Sequence, residues 1–198
     1  VYLYSIIHSI ILAKRNSSYQ LKNYNKILIY ILWPILFFGI GLIISESCAV
    51  RTFKIPTNSM MKTLFPDDMI LVDMNYYKIN IVSRNDIVIF NHPEYPDRLL
   101  IKRAIAFGGE TISITNGQIF INGNLFEEYN PDIIYETRNY IDLNEMTIPD
   151  NHIFFIGDNR PNSLDSRMFG PVSEKNVRGR PIYIYFSDSF DRIGKTLN

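Results

Sequence analysis

Residues 111–123 read TISITNGQIFING. Two runs rich in Ile, Thr and Phe flank Asn116-Gly117, a dipeptide in which both members accept positive φ and so suit the two-residue type I′ turn of a β-hairpin. Asn122-Gly123 repeats the signal at the end of the second run. Working outward, the same texture recurs: Met69–Asp73, Asp86–Phe90, Leu99–Phe107, His152–Ile156 and Pro181–Phe186 read as strands beside Thr111–Thr115 and Gln118–Ile121. Arg51–Ile55 adds one more. Pro131 to Pro149 reads as a longer, polar excursion. There is no internal repeat and no low-complexity tract. The pattern predicts a mainly β domain of short antiparallel strands, folded as a sandwich or partial barrel.

Ahead of this domain lies a different signal. Ile27 to Ile44 (ILIYILWPILFFGIGLII) carries no formal charge. At 1.5 Å rise per residue it spans roughly 27 Å, close to the hydrocarbon thickness of a thin bilayer. Pro34, Gly39 and Gly41 are compatible with a membrane helix. Lys14, Arg15, Lys22 and Lys26 precede the run with no acidic residue among them, which places the N-terminal side in the cytoplasm. The predicted organisation is a cytoplasmic segment 1–26, a transmembrane anchor 27–44 and an extracytoplasmic β domain 45–198, held at the cell (inner) membrane. A buried core helix is disfavoured by apolarity all round. A cleaved secretory signal, suggested by Ser47-Cys48-Ala49, is disfavoured by a run longer than the usual h-region. The apolar residues 1–13 (VYLYSIIHSIILA) are too short to cross alone. They read equally as the remnant of a further span, an interfacial helix or a misplaced start. If the apolar loop residues Phe53, Met60, Met61 and Phe65 form an exposed membrane-facing patch, the domain alone should associate with lipid.

Bulk numbers exclude several classes. Twenty basic against twenty acidic residues leave a formal net charge of zero, so no basic field argues for nucleic acid. Cys48 is the single cysteine, which rules out an internal disulfide and a cysteine-rich metal site. His8, His92 and His152 stand far apart without ligand spacing, so neither a metal nor another cofactor is expected.

Three segments can carry chemistry. In IPTNSMMKTL, Ser59 follows the strand Arg51–Ile55, with Pro56 stiffening the approach. A serine hydroxyl needs a neighbouring base to become a nucleophile, and no histidine stands in a recognisable signature. Lys102 is the alternative base. Period-two alternation sets it on one face of Leu99–Phe107 with Leu100, Ala104 and Ala106. Burial on an apolar face disfavours the ammonium. A base working near neutrality needs a pKa of about 7–8, roughly 3 units below the ordinary lysine value, or about 4 kcal/mol of environmental bias. On pattern alone, a turn-forming serine and a lysine snorkelling to water are the favoured readings. The third segment, GDNRPNSLDSRMFGPV (157–172), packs Asp, Asn, Ser and Arg closely enough to lock one another by hydrogen bonds and a charged pair.

Taken together and in this order, IPTNSMMKTL, DDMILVDM, LIKRAIAFGGE and GDNRPNSLDSRMFGPV closely resemble the bacterial signal peptidase I family, membrane-bound Ser–Lys endopeptidases that remove signal peptides from exported proteins. The resemblance runs from Ile55 to about Phe186. It implies Ser59 as nucleophile and Lys102 as general base, with Thr57 and the Ser59 backbone N–H as the oxyanion hole. Ser163 aligns with the serine that orients the lysine, Asp165 and Arg167 with a bracing ion pair, and Asp158 with the same support. Ile55, Met60, Ile70, Leu100 and Ile101 align with walls of apolar pockets for small side chains at substrate positions −1 and −3. The implied partners are preproteins bearing signal peptides, membrane lipid and the secretion machinery; the resemblance implies no cofactor or metal.

Some positions depart from the family pattern. Asn58 replaces a common glycine, Lys62 stands where proline is usual, Gly108-Gly109-Glu110 replaces a Pro-Gly-Asp turn, and Pro161 occupies a position often acidic. None removes a catalytic group. Two other readings stay open: a Ser–Lys processing peptidase with a dedicated substrate, of the conjugal-pilin type, and a non-catalytic tethered domain that binds exported chains. A soluble repressor autoprotease is disfavoured by the apolar span.

Overall fold

The computed structural model describes residues 49–127 and 142–197, together with 31–38 and positions 8, 10, 11 and 14. The chain divides into two units, 1–48 and 49–198. In the first, residues 31–38 are helical with every side chain exposed. Among the described residues no helix is long and apolar enough to cross a membrane. The expected anchor 27–44 lies outside the described residues except for 31–38, and the apolar run 1–13 does so except for positions 8, 10 and 11.

The second unit is mainly β. A seven-stranded sheet runs β1 (Val50–Lys54), β2 (Met69–Asp73), β11 (Val177–Phe186), β3 (Ile87–Asn91), β4 (Leu99–Phe107), β9 (His152–Ile156) and β10 (Val172–Ser173). A four-stranded sheet runs β7 (Asn124–Glu127), β6 (Gln118–Ile121), β5 (Thr111–Thr115) and β8 (Leu143–Thr147). Among the described residues every paired ladder is antiparallel, and register shifts interrupt β11 and the stretch between Ala104 and Ala106 of β4. The β5–β6 hairpin turns at Asn116 (φ 50°) and Gly117 (φ 78°), the left-handed pair that Asn-Gly supplies at least cost.

Central strands are buried on both faces, which is why they read as continuous apolar runs. In β3, Ile87 and Ile89 join Ile55, Met60, Leu64 and Ile70 on one side, while Val88 and Phe90 join Ala104 and Phe155 on the other. Phe90 and Phe155 stack at 4.2 Å. A third cluster, including Ile105, Ile112, Ile119 and Phe154, fills the space between the two sheets. Each of these fully buried side chains stabilises the fold by about 1.5–3 kcal/mol.

Several boundaries differ from the sequence reading. β11 begins at Val177 rather than Pro181. Proline fits inside it because the ladder to β3 is confined to Val177 and Gly179, so no donor is demanded of Pro181 on that side. β7, β8 and β10 carried no usable signal. β8 (LNEMT) lacks apolar alternation and is a strand because it pairs with β5; it falls inside the excursion 131–149, of which 131–141 lie outside the described residues. The bulge beyond Ala104 sends Ala106 into the inter-sheet cluster, away from the cluster holding Ala104 and Leu100. The expected lipid-facing patch does not form as read. Met60 is wholly buried, Phe53 packs on the core, and the Arg192 guanidinium covers the Phe65 ring at 4.1 Å.

The turn after Ser59 has an unusual backbone. Thr63 N–H donates to the Met60 carbonyl at 3.1 Å, and Lys62 at the third position has φ 90°. Proline, locked near −65°, cannot adopt that angle, which accounts for lysine where the family pattern has proline. Asn58, by contrast, is not among the residues with positive φ, so its departure from glycine needs no left-handed conformation. Lys62→Pro should lower stability by more than about 1 kcal/mol, whereas Lys62→Gly should be neutral or stabilising, because it removes left-handed strain of about 1–2 kcal/mol against a smaller entropic cost. Paired denaturant titrations of the two variants check this; a Pro variant as stable as its parent would contradict the turn.

Candidate active site

Ser59 rides a loop closed at its base by backbone bonds. Ile55 N–H donates to Asp68 C=O (2.9 Å), and Asp67 N–H donates to Ile55 C=O (2.8 Å). Leu64 and Met60, both without exposed surface, sink the returning half of this loop into the core. Ser59 itself is 8% exposed. Its hydroxyl lies 2.6 Å from Lys102 Nζ, which also donates to the Ile101 carbonyl at 3.0 Å. Thr57 Oγ1 stands 3.3 Å from Ser59 Oγ.

Lys102 is 3% exposed in the middle of β4, opposite Val88. Desolvation lowers its pKa from 10.5 to about 8, overriding the opposing pull of Asp165 and Asp158; Arg98 and Arg167 push in the same direction as burial. The two carboxylates are the largest influences after burial and hold the pKa up, so loss of water prevails over them rather than acting in their absence. Asp165 binds Arg167 through two bonds of 2.8 Å, and Asp158 binds Arg103 through bonds of 2.8 and 2.6 Å.

The polar segment after β9 folds as a brace. Asp165 has no exposed surface, accepts from Gly157 N–H at 3.0 Å and caps the short helix α1 (Ser166–Phe169) by accepting from Arg167 N–H. Ser166 Oγ accepts from Phe155 N–H at 3.0 Å, tying the helix to β9. Asn159 fastens this brace to the loop that carries Ser59: its N–H donates to Ser59 C=O at 3.1 Å and its Nδ2 to Asn58 C=O at 2.9 Å. Thr63 Oγ1 donates to Asp158, joining the loop's other limb to the same brace. Ser163 Oγ is buried and has no hydrogen-bond partner among the described residues, so no bond from it to Lys102 is present.

Four residues of this site carried no role in the sequence reading. Gly157 is the tightest contact: a Cβ there would lie 2.6 Å from the Ser59 carbonyl oxygen and 2.1 Å from Ser163 Oγ. Asn159, Arg103 and Thr63 are the others. Asn159 was one of many polar residues in its segment, and Arg103 merely followed Lys102. Of the expected pocket walls, Ile55, Met60 and Ile70 are buried together and Ile101 packs on them, while Leu100 packs in the cluster on the other side with Val88 and Phe90. Met60 and Ile70, with no exposed surface, lie beneath the site and present nothing to a peptide in this conformation. Among the described residues no group of His, Cys, Asp and Glu could hold a metal ion.

A family model described as "Signal peptidase, peptidase S26" matches residues 27–186. The chain belongs to this family. It is 34% identical to a probable signal peptidase I-1 of Synechocystis sp., over 68% of this chain and 70% of that protein. It is likewise 34% identical to a signal peptidase I of Leptolyngbya laminosa, over 72% of this chain and 74% of the relative. Thylakoidal processing peptidase 1 of Arabidopsis thaliana is 31% identical over 74% of this chain, which spans only 45% of that plant protein. Membership of the peptidase S26 family makes the protein a hydrolase of peptide bonds.

Gly157→Ala should therefore cut kcat by roughly 100-fold, the scale expected when reacting groups are displaced by about 1 Å. The displaced atoms are the backbone of Ser59 and the hydroxyl of Ser163. Steady-state kinetics alongside a far-UV spectrum checks this, and an Ala variant with the parent kcat would contradict the contact.

Proposed function

We propose that the protein is a signal peptidase I, a membrane-bound serine endopeptidase that removes N-terminal signal peptides from exported preproteins. Ser59 is its nucleophile and Lys102 its general base. The observation that carries the reading is the 2.6 Å contact between Ser59 Oγ and a lysine amine that burial has brought to a pKa of about 8. A surface lysine near its ordinary value would hold too little free base at neutral pH.

In this mechanism the neutral Lys102 amine takes the Ser59 proton as Oγ attacks the scissile carbonyl. The oxyanion is held by the Ser59 N–H and the Thr57 hydroxyl. The Lys102 ammonium then protonates the departing amine, the C–N bond breaks, and the mature protein leaves. Lys102 next deprotonates a water, which attacks the acyl-enzyme ester; Ser59 regains its proton and the signal peptide departs as a carboxylate. Ser163 takes the role of orienting the amine, as the family resemblance implies; its buried hydroxyl makes no bond to Lys102 in this conformation. Asp165–Arg167 and Asp158–Arg103 hold the brace. The partly exposed Ile101, which packs on the same cluster as Ile55, faces the small residues of the substrate.

Residues 27–44 form the anchor, with the basic N-terminal side in the cytoplasm. What supports this is the exposure of Trp33, Phe37 and Phe38, at 68%, 74% and 70%, on a helical segment that water would solvate poorly. Confinement of enzyme and preprotein to one bilayer raises their effective concentration.

Two outcomes follow. Lys102→Met should abolish turnover with the fold intact, and the wild-type kcat/KM should rise with pH along one limb with a midpoint near 8, because raising pH removes the proton that blocks the base. Changing His92 and His152 together should leave that limb in place. A Lys102→Met enzyme that still turns over would sink the dyad. For topology, protease added to intact spheroplasts should digest the β domain; a domain that stays protected in intact spheroplasts but is cut after lysis would reverse the orientation.

A further inference from the structure

The family match ends at residue 186, yet the residues beyond it return to the nucleophile loop. Ile184 N–H donates to Lys195 C=O (3.0 Å) and Leu197 N–H to Ile182 C=O (2.8 Å), so the tail runs back along β11. Leu197 is 3% exposed, in the cluster with Ile55, Met60 and Leu64. Between them, in the 3₁₀ turn Phe190–Arg192, the Arg192 side chain points inward. Its Nη2 donates to the Thr63 carbonyl at 2.9 Å and to Asp68 Oδ2 at 2.6 Å, and its guanidinium covers the Phe65 ring. Asp68, 1% exposed, also accepts from Phe65 N–H at 2.9 Å. Burial pushes its carboxyl up, but hydrogen bonds from Arg192, Phe65 N–H and Ser187, with the charge of Arg192, outweigh burial and hold it below the usual carboxylate range.

The Arg192 guanidinium bonds and stacks within residues 63–68, the returning limb of the loop that carries Ser59. Thr63 is gripped twice, its carbonyl by Arg192 and its hydroxyl by Asp158, which also holds Arg103 beside Lys102. We propose that Arg192 is a positioning residue for the nucleophile: by clamping Thr63 and Asp68 it keeps Ser59 within hydrogen-bond reach of Lys102. The clamp rests on the reading of Ser59 as nucleophile. Arginine suits the position because one planar group can donate to two acceptors and stack on an aromatic face at once, which an ammonium cannot.

The test uses the full chain in detergent and a peptide substrate with Ala at −1 and −3. Arg192→Ala, Arg192→Lys and the double variant Arg192→Met/Asp68→Leu are compared with wild type and Ser59→Ala. The double variant replaces the buried pair by apolar groups of similar size, an exchange that usually preserves folding while removing the clamp. In the folded variants kcat should fall by roughly 10- to 100-fold, KM should stay within about twofold, and the pH limb should keep its midpoint. Free guanidinium, far below denaturing concentration, should restore part of the kcat of Arg192→Ala and none of that of the double variant. Arg192→Lys should be intermediate. Should Arg192→Ala fail to fold, the double variant decides. A folded clamp variant running at the wild-type kcat, with Ser59→Ala inactive, overturns the clamp alone. Turnover by Ser59→Ala overturns the nucleophile assignment and the clamp with it.

Discussion

An amine in water holds its proton until about pH 10, so a lysine loses it near neutrality only where the protein takes away more hydration than nearby anions give back. Lys102 meets that condition. Its place in the middle of β4, between β3 and β9, removes the water, and burial outweighs the opposing pull of Asp165 and Asp158, with Arg98 and Arg167 acting in the same direction as burial. The sheet and the brace after β9 both set this one balance.

Geometry is enforced less by side chains than by the backbone. The Ser59 carbonyl is fixed by Asn159 N–H, and Gly157 lets the brace approach it to a distance at which no Cβ fits. Buried ion pairs are poor sources of stability, since desolvation offsets much of their attraction. Asp165 is better understood as a hub that accepts from Gly157 N–H, Arg167 N–H and the Arg167 guanidinium, converting a polar segment into one rigid piece. Rigidity of that kind is what a nucleophile and base drawn from distant parts of the chain require, because hydrogen-bond reach tolerates errors of only tenths of an ångström.

Much of this was legible beforehand. The Asn-Gly turns, the alternating runs and the apolar central strands fixed the β class and most strand boundaries, because turn conformation and burial on one or both faces leave local marks on residue choice. Ser59 and Lys102 were candidates on residue type and strand face. β8 was not legible, since an exposed edge strand is selected by its partner rather than by its own side chains. Nor was the bulge that separates Ala106 from Ala104, which depends on how β9 pairs.

By itself, the sequence determined which residue types were at hand: a serine after a stiffened approach, a lysine on an apolar strand face, a polar segment able to lock itself, and a charge-free run preceded by lysines. Only the tertiary structure decided which of them meet. Ser59 and Lys102 are separated by 43 positions and come within 2.6 Å because β4 lies beside the Ser59 loop in the fold. The pairing of Asp158 with Arg103, the close approach of Gly157 and the inward turn of Arg192 had no local signature. Contacts between distant segments impose no pattern on their neighbours in the chain, and their energies exist only once the sheet has brought the segments together.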